Sequence, residues 1–231
     1  MSPSSKIPEE EKIPLKNKCL VSAGGAVQYL TSNVNLGQLW MPVMNIGYGL
    51  NPAILGLVAM ILKAVDAVVD PLIGNLSDST RSRWGRRRPF IIVGAILTGL
   101  ITPFVWHINP DWSDFWMYSF VAIMGVLTYA CMSLWGTPYH SFLMEMTPNY
   151  DERTRLFAWT AFFTKIIALG GGWTLAFVSS SWFADTLTGD PDIVYGTKVV
   201  SVLIGIFIMI AGVLPGLFVK ERMYSSKTSQ Q

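Results

Sequence analysis

Six stretches of the chain are long and apolar, and short polar breaks separate them. They span roughly residues 20–46, 52–75, 89–107, 115–143, 156–183 and 197–219. A helix needs about 20 mainly apolar residues to cross a bilayer, and each stretch qualifies. The breaks carry turn-forming residues: Asn51-Pro52, Asn109-Pro110-Asp111, Thr147-Pro148-Asn149 and Gly189-Asp190-Pro191. The pattern predicts an all-α polytopic membrane protein with six transmembrane helices across residues 19–219. Polar tails are expected at 1–18 and 220–231.

Composition agrees with that reading. Only 14% of the 231 residues are charged and 51% are hydrophobic, with a mean hydropathy of +0.41; soluble domains carry about 25% charged residues. A net charge of +2 gives no basis for nucleic acid as a partner. Cys19 and Cys131 stand far apart in apolar surroundings and match no metal or redox spacing.

Charge position says more than total charge. Every Lys and Arg except Lys63, Lys165 and Lys198 falls in the N-terminal tail, in the loops after the second and fourth stretches, or in the C-terminal tail. The intervening loops 47–51, 108–114 and 184–196 hold none, and carry Asp111, Asp114, Asp185, Asp190 and Asp192 instead. Cationic loops stay on the cytoplasmic side, so both termini are expected there, in a cell (inner) membrane.

Charged residues inside the membrane are the first candidates for function. Lys63, Asp66 and Asp70 sit within the second stretch, spaced 3, 4 and 7 apart, which puts them on one helix face. A charge facing lipid costs about 2.5–3.5 kcal/mol, so this face is expected to line a cavity or meet another helix. Two carboxylates one turn apart suit a monovalent cation or one shared proton; a structural Lys–Asp pair is the alternative. In the first stretch Gln28, Thr31, Ser32, Asn35 and Gln38 recur at helical spacing. They suit an uncharged polyhydroxyl ligand or a helix–helix contact.

The fourth stretch contributes Trp135 and His140, with Pro138 expected to bend the helix. The fifth contributes Trp159 and Lys165, and its Gly170-Gly171-Gly172 triplet is expected to let helices approach closely. Gln28, Thr31, Asn35, Trp135, His140, Trp159 and Lys165 form the candidate solute-binding set. No nucleophile–base pair, metal-ligand cluster or phosphate loop appears, so neither an enzyme nor a cofactor is expected.

Three sequence words complete the picture: Asp66-Ala-Val-Val-Asp70-Pro71-Leu-Ile-Gly74, then Asp78 through Arg86-Arg87-Arg88-Pro89, and Asp151-Glu152-Arg153. In these the chain resembles the glycoside–pentoside–hexuronide:cation symporter family of the major facilitator superfamily. The resemblance implies a six-helix half of that fold, built from two inverted three-helix repeats. It implies cation coupling at Asp66 and Asp70, with Lys63 at a position where a basic residue is common. It also implies a cytoplasmic gate from Gly74, Asp78, Gly85, Arg86, Arg87, Arg88, Asp151 and Arg153.

Several positions depart from the family pattern. A polar residue between the two carboxylates is replaced by Val69. A fourth-helix carboxylate aligns with Gly136, one turn after Ser133, which is the remaining candidate ion ligand there. A sugar-binding aspartate aligns with Leu30, and a fifth-helix arginine with Ala161. The coupling ion is therefore open between H+ and Na+.

Members of that family have twelve helices in two halves, with solute between them. The expectation is a half-size transporter subunit for a small polar solute, possible sugars included, working by alternating access. Its second wall would come from a separate chain or a second copy. A truncated transporter, or a non-transporting scaffold or sensor subunit, is the alternative.

Overall fold

A computed structural model describes residues 12–184 and 192–219, with the side chains of 33–36 outside that description. Both far tails and the segment 185–191 lie outside it too, so the expectations placed there rest on sequence alone. The described residues are all-helical. Four helices are long and apolar enough to cross a membrane: Pro52–Ser79, Asp114–Met144, Tyr150–Val178 and Ile193–Phe218. Arg88–Phe104 is a shorter apolar helix.

The first rod begins as α1, Leu15–Tyr29. It runs on as a π-helical stretch over Leu30–Leu39, a short α-turn at Trp40–Pro42 and a second π-helical turn at Val43–Gly47. The wider pitch begins where Thr, Ser and Asn, all weak helix formers, displace the apolar residues. π-Helical turns of this kind often mark functional sites.

The starts of the other helices follow from local chemistry. Helix α2, Pro52–Ser79, opens with Pro52 at its first position, and Asn51 Oδ1 accepts from the Ala53 N–H at 2.9 Å. Pro89 lies in the first turn of α3, Arg88–Phe104. Helix α4, Asp114–Met144, follows Ser113 and passes through Pro138 without an interruption. Asn149 Oδ1 accepts from the N–H groups of Asp151 and Glu152 at the start of α5, Tyr150–Gly171. Asp192 does the same for Val194 and Tyr195 at the start of α6, Ile193–Phe218.

The glycine triplet ends α5, which resumes only as the short helix Thr174–Val178. A side chain at Gly170 would meet nothing within 4 Å, so the close approach expected of the triplet does not occur at that position.

By contact, α2 packs on α4, α4 on α3, α3 on α6, α6 on α1 and α1 on α5. In the α3–α6 contact two glycines meet backbone to backbone. A Cβ on Gly99 would stand 2.5 Å from the Gly205 carbonyl oxygen, and one on Gly205 would stand 2.5 Å from that of Gly99. Only hydrogen at both positions lets the two backbones touch. Trp135 and Tyr139 stack with centroids 4.7 Å apart at the heart of the bundle. Trp135 Nε1–H donates to the Gly212 carbonyl at 3.2 Å and the Tyr139 hydroxyl to the Val21 carbonyl at 2.9 Å. Two aromatic rings thereby tie α4 to both α6 and α1.

Candidate functional site

The face of α2 that carries Lys63, Asp66 and Asp70 turns toward α4 and the first rod. There it lines a cavity of about 230 Å³ together with Gln28, Ser32, Met132, Ser133, Gly136, Thr137 and His140. The spacing of the three charges on α2 thus translates into a shared surface.

Hydroxyl groups of α4 organise the carboxylates. Ser133 Oγ donates to Asp70 Oδ1 and lies 3.3 Å from Asp66 Oδ1, so one hydroxyl bridges two carboxylates. Thr137 Oγ1, one turn further along α4, donates to Asp70 Oδ1 at 3.2 Å. Gly74, one turn after Asp70, would bring a Cβ to 3.4 Å from Thr137 Cγ2, so its missing side chain keeps α2 close to α4 at this level. On the other flank, Lys63 Nζ lies 3.4 Å from Asp66 Oδ2 and 4.6 Å from the centroid of the Tyr129 ring.

Gln28 faces Gly136 at the wall of the cavity. A Cβ on Gly136 would be 3.5 Å from Gln28 Oε1. Gln28 Nε2 donates to Ser32 Oγ at 3.1 Å, and its Oε1 is buried with no hydrogen-bond partner among the described residues. A neutral amide therefore stands beside Gly136 at the cavity wall. Two carboxylates and two hydroxyls are hard oxygen donors suited to a monovalent cation. Among the described residues no cluster of three or more His, Cys, Asp or Glu exists to hold a metal ion.

The candidate solute residues divide. Gln28 and His140 line the cavity, with His140 exposed. Trp135 does not: it is 1% exposed and committed to the core between α3, α4 and α6. Thr31 is buried, and its hydroxyl donates to the Val27 carbonyl of its own helix. Once the first rod widens at Leu30, Gln38 leaves the stripe and is exposed, donating to the Tyr29 hydroxyl at 3.4 Å. The Asn35 side chain lies outside the described residues. Trp159 belongs to a separate apolar recess with Arg155, Ala158 and Phe162, and Lys165 is exposed on α5 outside the cavity.

A second polar cluster closes one end of the bundle. Arg87 donates to Asp78 Oδ1 from Nε at 3.2 Å and from Nη2 at 2.8 Å. Arg86 Nη2 donates to Glu145 Oε1 at 2.9 Å, and Arg87 Nη2 lies 3.0 Å from the same oxygen. Arg88 Nε and Nη2 donate to the Gly216 and Leu217 carbonyls at 2.5 and 2.6 Å, satisfying the C-terminal end of α6. Gly85 holds φ at 109°, which lets the loop turn back toward Asp78.

Asp151 is exposed, and neither it nor Arg153 joins that cluster in an ion pair among the described residues. Between them, Glu152 is the buried member. It accepts from the Ile13 N–H at 2.9 Å, and its Oε1 lies 2.6 Å from Lys18 Nζ. Glu145 in that cluster and Glu152 in its separate pair with Lys18 are the acidic residues that sequence reasoning left out of its candidate set. Acidic residues on each side of Pro148, among otherwise cationic loops, were the available signal.

Among the described residues, several helices of membrane-crossing length are combined with a cavity lined by two carboxylates. The chain belongs to the MFS/sugar transport protein family, whose model matches residues 29–230, and the resemblance to the glycoside–pentoside–hexuronide group is borne out. It is 37% identical over 154 residues to the uncharacterized symporter sll1374 of Synechocystis, covering 63% of this chain and 28% of that protein. It is 31% identical over 110 residues to the glucuronide carrier protein homolog of Escherichia coli, covering 47% and 24%. It is 29% identical over 125 residues to the inner membrane symporter YicJ of the same organism, covering 54% and 26%. The chain spans about a quarter of the length of the curated relatives it matches.

Proposed function

We propose that this chain forms one wall of the solute path in a symporter that couples a small polar, sugar-type solute to a monovalent cation. Asp66, Asp70, Ser133 and Thr137 supply the cation's oxygen ligands, and Gln28, Ser32 and His140 face the solute. The bridging of Asp66 and Asp70 by a single Ser133 hydroxyl carries this reading. It places a hydroxyl between two acidic side chains at the wall of a cavity, which a merely structural ion pair does not require.

In this reading six helices cross the inner membrane, with both termini and the Asp78–Arg88 loop on the cytoplasmic side. The neighbour order α2, α4, α3, α6, α1, α5 supports two three-helix repeats. Exchanging α1 with α4, α2 with α5 and α3 with α6 returns the same order reversed. A second six-helix unit, from another polypeptide segment or a second copy, supplies the opposite wall. The Asp78–Arg87–Glu145 cluster fastens the cytoplasmic ends while the path opens on the other side.

The test is uptake of lactose, a methyl glycoside and a glucuronide into proteoliposomes under a sodium gradient or a pH gradient. Asp66→Asn and Asp70→Asn are expected to abolish gradient-driven uptake, and the gradient that drives the wild type identifies the ion. Wild-type-like coupled uptake in both variants would refute the assignment.

A further inference from the structure

We infer that Lys63 is a tethered stand-in for the coupling cation: its ammonium occupies Asp66 in the ion-free carrier and leaves when the ion arrives. This rests on the cation site proposed above and adds how that site is emptied and refilled.

The two carboxylates are held differently. Asp70 accepts from both Ser133 and Thr137, which fix it to α4. Asp66 is shared between Ser133 at 3.3 Å and Lys63 at 3.4 Å. A charge-assisted N–H···O bond is normally about 2.7–2.9 Å, so the lysine grips Asp66 loosely. Its second anchor is the face of Tyr129, 4.6 Å from Nζ to the ring centroid, an interaction that is weak at exposed sites. The Lys63 side chain is 67% exposed, against 24% for Asp66. The ammonium is therefore held by two weak contacts at the mouth of the cavity and is free to swing outward.

Charge balance explains why such a group is useful. Two carboxylates without a counter-charge inside a membrane are costly, and the cost would oppose movement of the ion-free carrier. Lys63 offsets one of them in that state. When a monovalent cation enters beside Asp70 it competes with the ammonium for Asp66. The displaced ammonium then turns toward the solute path, where it can donate to a hydroxyl or carboxylate of the solute. Cation and solute thereby each raise the other's affinity by the same factor.

Sodium binding to the purified protein, titrated by calorimetry at constant ionic strength with choline, tests this directly. Lys63→Gln is expected to bind sodium about two- to fivefold more tightly, the scale set by an exposed ion pair. Tyr129→Leu keeps the charge but removes the anchor, and is expected to tighten binding about twofold. Unchanged or weaker binding in Lys63→Gln overturns the inference. Tightening in Lys63→Gln alone, with Tyr129→Leu unchanged, also overturns it, since a through-space charge would then suffice.

Wild-type protein gives a further reading without substitution. Lys63 should react with an amine-directed reagent faster in sodium than in choline, and equal rates overturn displacement. If sodium binds neither wild type nor Lys63→Gln, this inference falls, whereas the cation site itself falls only if pH-gradient uptake also survives in Asp66→Asn and Asp70→Asn. Binding to both with equal affinity rejects the inference alone.

Discussion

Arg87 places two nitrogens on a single oxygen of Asp78, Nε at 3.2 Å and Nη2 at 2.8 Å, joining the residue just before α3 to the last turn of α2. Arg87 is 5% exposed, and its Nη2 also lies 3.0 Å from Glu145. Removing Arg87 leaves Asp78 with only the more distant Arg86, 3.8 Å away, while Glu145 keeps Arg86 at 2.9 Å; removing Asp78 leaves Arg87 still paired to Glu145. Arg87→Ala is therefore expected to destabilise more than Asp78→Asn. Breaking a buried pair costs about 3–5 kcal/mol, which the 52% exposure of Asp78 reduces to about 1–3 kcal/mol here. Thermal unfolding in detergent, followed by tryptophan fluorescence, checks the order of the two variants.

Ser133 should matter more to the ion than its neighbour Thr137 does. Its hydroxyl contacts both carboxylates, whereas Thr137 contacts only Asp70. A hydrogen bond to a charged group contributes about 1.5–3 kcal/mol, so Ser133→Ala should weaken sodium binding about tenfold or more. Thr137→Val should weaken it less. Calorimetric titration of both variants beside the wild type distinguishes them, and the reverse order would assign the bridging role wrongly.

Residues whose position follows from spacing within one helix were legible in the sequence, and residues whose role depends on which helices are neighbours were not. Lys63, Asp66 and Asp70 share a face because a helix repeats every 3.6 residues, and that face does line the cavity. Ser133 emerged only through the resemblance, since nothing within α4 announces that α2 lies beside it. Thr137 and the pairing of Gln28 with Gly136 needed the same missing knowledge. The stripe from Gln28 to Gln38 assumed a constant pitch, and the change to π-helix at Leu30 broke it. Glu145 and Glu152 lay at segment ends, where an acidic residue is usually solvated; only packing shows that Glu152 is 1% exposed.

The α3–α6 contact gives a prediction with its own internal control. A Cβ on Gly205 would collide with the Gly99 carbonyl oxygen at 2.5 Å, an atom of a helix backbone that cannot step aside. Gly205→Ala should therefore cost about 1–3 kcal/mol as the helices are pushed apart. A Cβ on Gly170 would meet nothing within 4 Å. Gly170→Ala should be neutral or stabilise by up to about 1 kcal/mol, because alanine is the better helix former. Melting temperatures of the two variants in one detergent check the contrast; equal losses would place the close approach elsewhere.

Trp135 and His140 are five residues apart on α4, yet the structure gives them different tasks. The Trp135 ring stacks on Tyr139, and its Nε1–H holds the Gly212 carbonyl. Trp135→Phe keeps an aromatic ring but removes that donor and with it the polar tie between α4 and α6. The expected loss is about 1–3 kcal/mol of stability, with solute affinity unchanged once the protein is folded. His140 is exposed and lines the cavity beside Asp70. His140→Ala should leave the melting temperature nearly unchanged and weaken solute binding or uptake several-fold. Measuring both quantities on both variants separates a framework residue from a solute-facing one. A Trp135→Phe variant that melts normally but binds solute poorly would return Trp135 to the solute path.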